Sequence, residues 1–578
     1  MTEEKWGRPA AGREPAAAAL LAWLADPDAP RLCLVTGGAG CGKSTLLAWL
    51  VGHGTRPGGR PERRVHGFVP LAGESALTAT WTLAGQLLLA ARTPGELVDA
   101  LAADGRRTVL VLPDLHAADD PATVTELVLE LLKLDHVRLV VEARDGSEPA
   151  RGLPATRPAV LNLDEPRWTD PERYAVWAAR RPAARPAGHE AGPQSPPVDL
   201  DDPAAVCAAD PWQVSRRYER SGHGHGGLRA AWMRAGASLT HEGTSPAMRA
   251  LVLLSALGDD ADPRLPGGLA QLSGGTGWQV VWRRVRGDVR PPWPGPARAL
   301  AAGPGELAGK TLVADHQGTV RLLNEADAAP AGRLPEPVRQ PRALAAMPDG
   351  TALVLDALGA VRGLRAPSAP GPSGLTALLD DGPTPVERLL TAVAAQLPGP
   401  STALSCAGGL LAVADGSGEV HALVQPDGEA EPRSHTAAPH RGAVTALAAL
   451  RLPASETDAP GAPGVPLIYS GGADGTVRVW GPGADPLPSP VRSRSCPVTA
   501  LAAGVTDSGP VLAIGWADGL VEHHHLDDGT VRAFRPGPPV HALAVTPTGL
   551  VHIGTDESLV TLRPVRDGVA GRPVTVVP

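Results

Sequence analysis

RLCLVTGGAGCGKSTLLAWL (31–50) decides the first half of the chain. RLCLVT is a continuous apolar run, the pattern of a strand buried on both faces of a parallel sheet. The next eight residues, GGAGCGKS (37–44), satisfy G-x-x-x-x-G-K-[ST] at every position. They follow a strand and open a helix, STLLAWLVGHG (44–54), which is the context the pattern requires. Gly37, Gly40 and Gly42 let the backbone curl with its N–H groups inward, onto a polyphosphate. The helix that begins near Lys43 brings its positive dipole end to the same place. Lys43 supplies a full charge near the β and γ phosphates, Ser44 a hydroxyl for magnesium, and Thr45 reaches the α-phosphate region. The stretch predicts a bound nucleoside triphosphate, ATP with Mg2+.

Further apolar runs alternate with helical spacing on the C-terminal side of this stretch. HGFVPLA (66–72), TVLVLPD (108–114), VRLVVEAR (137–144) and AVLNLDEP (159–166) are candidate strands. Helices are expected over 75–91 and 121–134. Strand and helix in alternation predict an α/β domain with a doubly wound parallel sheet over 1–166. A magnesium-binding ATPase also needs an acid at the end of a neighbouring strand. TVLVL ends in Pro113-Asp114-Leu115-His116, so Asp114 is the candidate metal ligand and catalytic acid. No Glu follows it, which predicts slow hydrolysis. Asp119 and Asp120 suit the cap of the next helix. Arg144 ends the fourth strand, at the carboxyl edge where ligands of such sheets sit, and is the second catalytic candidate.

Strands stop over 167–275, where helical patterns predict a small helical module with a Pro-rich linker near 181–203. From 276 to 578 the pattern changes to short strands separated by Gly, Asp and Pro turns. An x-A-L motif recurs in PARALAAG (296–303), PRALAAM (341–347), STALSCAG (401–408), AVTALAAL (443–450), PVTALAAG (497–504) and PVHALAVT (539–546). The spacing has a period in the low forties, lengthened by insertions at about 368–398 and 451–466. Such a repeat predicts a β-propeller of six or seven blades. A ring of blades must be closed, and GWQVVWRRV (277–285) is the favoured outer strand of the last blade, with RPVTVVP (572–578) as the other candidate. Glu522-His523-His524-His525 offers two same-face imidazoles without an evident third ligand and is expected to be a solvated blade surface.

The formal charge of −8 argues against a nucleic-acid partner held by a broad basic surface. The five cysteines are scattered and show no CxxC pair, so neither a disulfide framework nor a zinc-cysteine site is expected. The first 15 residues lack a signal-peptide core, and no run of about 18 apolar residues predicts a membrane span. A cytoplasmic location is the expectation.

Two resemblances then have residues behind them. AGREP (11–15), LLAWL (20–24), RLCLVTGGAGCGKSTLLAWL (31–50) and VRLVVEARDGS (137–147) resemble bacterial STAND-type signalling ATPases, a branch close to AAA+ proteins. Gly12-Arg13-Glu14 matches the element that precedes the phosphate loop in that group, which implies that Arg13 lies near the nucleotide. The second half resembles WD-repeat propellers, most closely at 440–480, where the resemblance implies a buried hydrogen-bond chain through His440, Ser470, Asp474 and Trp480. Members of the signalling family carry an effector ahead of the ATPase; about a dozen residues precede GRE here, so an effector is expected as a separate protein.

The expected function is an ATP-binding signalling scaffold whose nucleotide state controls a propeller that binds a protein partner. The alternative is an interaction protein with a structural, weakly hydrolysing or non-hydrolysing nucleotide site. A metabolic or kinase-like enzyme would need an acceptor pocket and a catalytic base that the sequence does not display. Self-association is left open.

Overall fold

The computed structural model describes residues 8–565 apart from 57, 59, 181–197, 366–383, 398, 426–430 and 455–463. The candidate strand at 572–578 and most of the Pro-rich linker lie outside the described residues. By internal packing the chain forms two units, one of residues 1–198 and 212–220, the other of 199–211 and 221–578.

The first unit is an α/β domain. Its sheet is parallel, with strands β1 (Leu32–Thr36), β2 (Gly67–Phe68), β3 (Thr108–Leu112), β4 (Val137–Glu142) and β5 (Ala159–Asn162) in the order β2-β3-β4-β1-β5. Every residue of β1, β3 and β4 is buried, because helices cover both faces. Helices α1 (Glu14–Ala25) and α2 (Lys43–Gly54) pack on one face, and α3 (Ala76–Leu87), α4 (Pro94–Asp104) and α5 (Pro121–Leu131) on the other; α6 (Glu148–Gly152) and α7 (Pro171–Ala179) follow β4 and β5. The single helix expected over 75–91 is shorter, ending at Leu88 in a left-handed conformation. A second helix, α4, follows it. The capping signal for α4 is Thr93, whose hydroxyl accepts the Glu96 N–H ahead of an N-terminal Pro94. Asp120 caps α5 through the N–H groups of Ala122 and Thr123, as its position before Pro121 suggests.

Helices α8 (Pro203–Ala208), α9 (Pro211–Arg220), α10 (Leu228–Leu239), α11 (Pro246–Ala256) and α12 (Arg264–Leu272) occupy the middle of the chain. Residues 212–220 of α9 belong to the first unit, where Arg216 pairs with Glu74 at 3.1 Å. The other four helices belong to the second.

The second unit contains a six-bladed β-propeller. The x-A-L motifs are its inner strands, among them Ala299–Ala302, Ala343–Ala346 and Ala542–Val545. Ala recurs in them because six strands converge on one axis and leave little room for side chains. Strand β6 (Trp278–Val285) pairs antiparallel with Ser558–Pro564 and is the outer strand of the last blade, so among the described residues the ring closes with its first strand beside its last. Trp282 reinforces the closure: its ring lies 5.5 Å from that of His552, and its Nε1 donates to the Glu325 carbonyl of the first blade at 2.7 Å. The insertion near 368–398 contains a helix that periodicity in the repeat did not indicate, α13 (Pro385–Gln396), with a Thr384/Glu387 capping box.

Two expectations need correction. His523 and His525 are 2% and 8% exposed, not solvated. Each blade is covered by its neighbours on both faces, so strand alternation does not mark a wet side; His523 packs edge-on against Trp278. In the fourth blade, His440 links Asp474 (3.2 Å) to Ser470 (2.9 Å), but Trp480 Nε1 is buried without a partner among the described residues.

His552 gives the propeller a pH dependence. It is fully buried between Thr311 and Thr561, which lie 3.1 and 2.6 Å from its ring nitrogens. Burial lowers its pKa from the ordinary 6.5 to about 3, so the folded ring stays neutral where the unfolded chain takes up a proton. The contribution is complete above pH 6.5 and is lost as pH falls towards 3. Denaturant titrations should show His552→Gln losing up to about 1.4 kcal/mol less stability per pH unit than the wild type in that window. Parallel pH profiles would contradict the assignment.

Candidate nucleotide-binding site

The loop 37–42 joins β1 to α2. Gly42 caps the helix at φ 93°, and a Cβ there would lie 2.2 Å from Tyr174 Oη on α7, so only glycine fits. Lys43 is 6% exposed, and its ammonium donates to the carbonyls of Gly37 and Gly38, both at 2.9 Å. The Gly38 N–H donates to Asp164 at 2.7 Å. A Cβ at Gly40 would meet nothing within 4 Å, so the outer bend of the loop is open. Ser44 is exposed and Thr45 half-buried in the first turn of α2.

The strongest functional signal that the sequence reading missed is Glu142. The β1–β4 register sets Val35 opposite Glu142, so this carboxylate lies directly beside the loop strand. Its Oε1 is 4.0 Å from Lys43 Nζ, and its Oε2 accepts from Ser44 Oγ at 3.3 Å. Burial, and then the negative charge of Asp114, push its pKa up to about 7; Lys43, Ser44 and the Asp114 backbone N–H pull the other way. The clue was present in VRLVVE (137–142), where one acid closes an otherwise buried apolar strand.

Asp114 lies two residues beyond β3, at φ 59°, in a turn that aspartate tolerates better than most residues. Arg144 is exposed just beyond β4. His116 lies within reach of both: burial, then the positive charge of Arg144, lower its pKa, while Asp114 opposes. The carboxyl edge of the sheet thus collects Lys43, Ser44, Asp114, His116, Glu142 and Arg144. Its donor set is hard oxygen, from two carboxylates and a hydroxyl, which suits Mg2+.

Arg13 is 2% exposed and is engaged with the rear of the loop. Its guanidinium donates to the Cys41 carbonyl, to Thr169 Oγ1 and to the Leu163 carbonyl (3.1 Å), and lies 4.3 Å from the centre of the Tyr174 ring. Gly12 is pinned beside it: its carbonyl accepts the Asp170 N–H at 2.9 Å, and a Cβ would lie 2.4 Å from the Asp170 carbonyl oxygen. Gly12-Arg13-Glu14 therefore ties the 37–42 loop to the start of α7.

The propeller offers a second concave surface, a central cavity of about 370 Å³ lined by all six inner strands. Equivalent positions of the x-A-L motif supply Arg298, Arg342, Thr402, Thr445, Thr499 and His541. The hydroxyls of Thr402 and Thr499 are buried without a hydrogen-bond partner among the described residues.

No protein-family model matches the chain, and no curated protein matches it.

Arg13 satisfies three acceptors with a planar fork that lysine cannot copy. Arg13→Lys should destabilise the first unit by about 2–4 kcal/mol in denaturant unfolding, through buried acceptors left unpaired. A loss under about 0.5 kcal/mol would place those contacts among the dispensable ones.

Proposed function

We propose that the first unit binds ATP with Mg2+ on the loop from Gly37 to Thr45, and that its nucleotide state governs a propeller that holds a protein partner. The observation that carries this reading is the buried Lys43 ammonium between loop carbonyls and Glu142, at the mouth of a helix N-terminus. A charge held in this way is placed for phosphate oxygens. Backbone N–H groups of 37–43 would surround the phosphates, with Ser44 and Asp114 as the oxygen donors for Mg2+. Bound Mg2+ would neutralise charge on the phosphates. Arg13 acts as a positioning residue that holds the loop's shape, and Arg144 contributes positive charge at the open edge.

Hydrolysis is proposed to be slow, below the enzyme median of about 10 per second. Glu142, rather than a residue after Asp114, is the group we assign to accept the proton of an attacking water. The resemblance to STAND-type ATPases and WD-repeat propellers supports the same reading, as does a propeller fold compatible with protein interaction. Among the described residues no helix is long and apolar enough to cross a membrane.

Calorimetry with ATP and Mg2+ tests the binding step. Lys43→Ala should weaken affinity by about 1.5–3 kcal/mol, roughly ten- to a hundredfold. Equal affinities would refute the site. Glu142→Gln should keep ATP binding and lower turnover by about 10²–10⁴-fold, the usual contribution of a general base; unchanged turnover would remove Glu142 from that role.

A further inference from the structure

Three blades build the turn between their second and third strands in the same way. Asp315, Asp356 and Asp415 each accept, through Oδ1, the backbone N–H groups two and four residues on, at 2.9–3.0 Å. The residue six positions after each aspartate lies on the third strand of its blade. In the first two blades that residue is a cation: Arg321 and Arg362 lie 3.5 Å from Asp315 Oδ2 and Asp356 Oδ2. In the third blade it is His421, and the position before the valine, Thr319 and Ala360 in the first two, is a second acid, Glu419.

The third blade therefore has an extra carboxylate and lacks the guanidinium that balances the other two. Asp415, Glu419 and His421 bring one ligand atom each within 4.8 Å of one another. His421 is 6% exposed, and its Nδ1 is engaged with Thr436 Oγ1 at 3.2 Å. Its Nε2 is buried with no hydrogen-bond partner among the described residues and lies 4.0 Å from Glu419 Oε2. A buried ring nitrogen without a partner is unfavourable. Thr436 fixes the orientation of the ring as an outer hydrogen bond does for a metal-bound histidine. Glu419, 47% exposed in its side chain, leaves the cluster open to solvent and can close on an ion.

We propose that the third blade carries a site for a divalent transition-metal ion of the zinc class, bound by His421 Nε2, Asp415 Oδ2 and Glu419, with solvent completing the shell. One imidazole and two carboxylates suit zinc better than the all-oxygen shells of Ca2+ or Mg2+. The ion takes the place that the arginine charge fills in the first two blades. This site is independent of the nucleotide reading.

The blades provide the control variants. His421→Arg copies Arg321 and Arg362, and Glu419→Thr copies Thr319, so both restore a pattern that the propeller already folds around. Metal-free full-length protein is dialysed against Zn2+ with excess Mg2+ to occupy other oxygen sites, and bound zinc is counted. The wild type should hold one zinc more per chain than His421→Arg, and Glu419→Thr should bind it roughly tenfold more weakly or worse, the loss of about one ligand. Anomalous scattering at the zinc edge should place that ion between the three side chains. Equal zinc content in wild type and His421→Arg, or an anomalous peak elsewhere only, would overturn the proposal.

Discussion

Lys43 and Glu142 face each other across 4.0 Å at the carboxyl edge of a parallel sheet, 7% and 2% exposed in their side chains. Everything around the candidate site is arranged about this contact. Strand β4 lies between β1 and β3, so the acid that closes β4 must lie beside the loop that follows β1. Burying two such groups is unfavourable unless other partners satisfy them. Two loop carbonyls hold the ammonium, and Ser44 and the Asp114 N–H donate to the carboxylate. Arg13 and Tyr174 brace the loop from behind. A well-packed apolar pair would be at least as stable, so the arrangement is better explained by what it can bind than by stability.

The propeller obeys a different constraint. Each blade alone would expose two apolar faces, and each is covered only by its neighbours, so the ring must close. It does so by placing β6 beside the strand Ser558–Pro564, a non-local pairing across the sequence. Trp282 and His552 seal this seam from opposite sides of the sequence. Small inner strands and buried polar residues, His523 and His552 among them, follow from the same geometry.

Much of this was legible in the sequence. The loop motif and apolar β1, β3 and β4 announced the parallel sheet, the x-A-L period announced the blades, and 277–285 was identified as the closing strand. What escaped did so for physical reasons. Glu142 is one charge at the end of an apolar run, and only the strand register reveals its neighbours. The burial of Glu522-His523-His524-His525 depends on blades on both sides, which alternation within one strand cannot convey. Helix α4 was hidden because its signal is a local cap, Thr93-Pro94, and α13 because it interrupts a repeat. The departure of Asp415, Glu419 and His421 from the Asp–Arg pattern became meaningful only when three turns could be superimposed by their hydrogen bonds.

The most direct test of the nucleotide reading is a crystal structure of the full chain with Mg2+ and a non-hydrolysable ATP analogue. The account predicts phosphate density enclosed by the backbone N–H groups of 37–43, with Lys43 Nζ turned from the Gly37 and Gly38 carbonyls to the phosphates and Mg2+ held near Ser44 and Asp114. A nucleotide bound elsewhere, or a Lys43 that keeps its carbonyl contacts at saturating analogue, would contradict it.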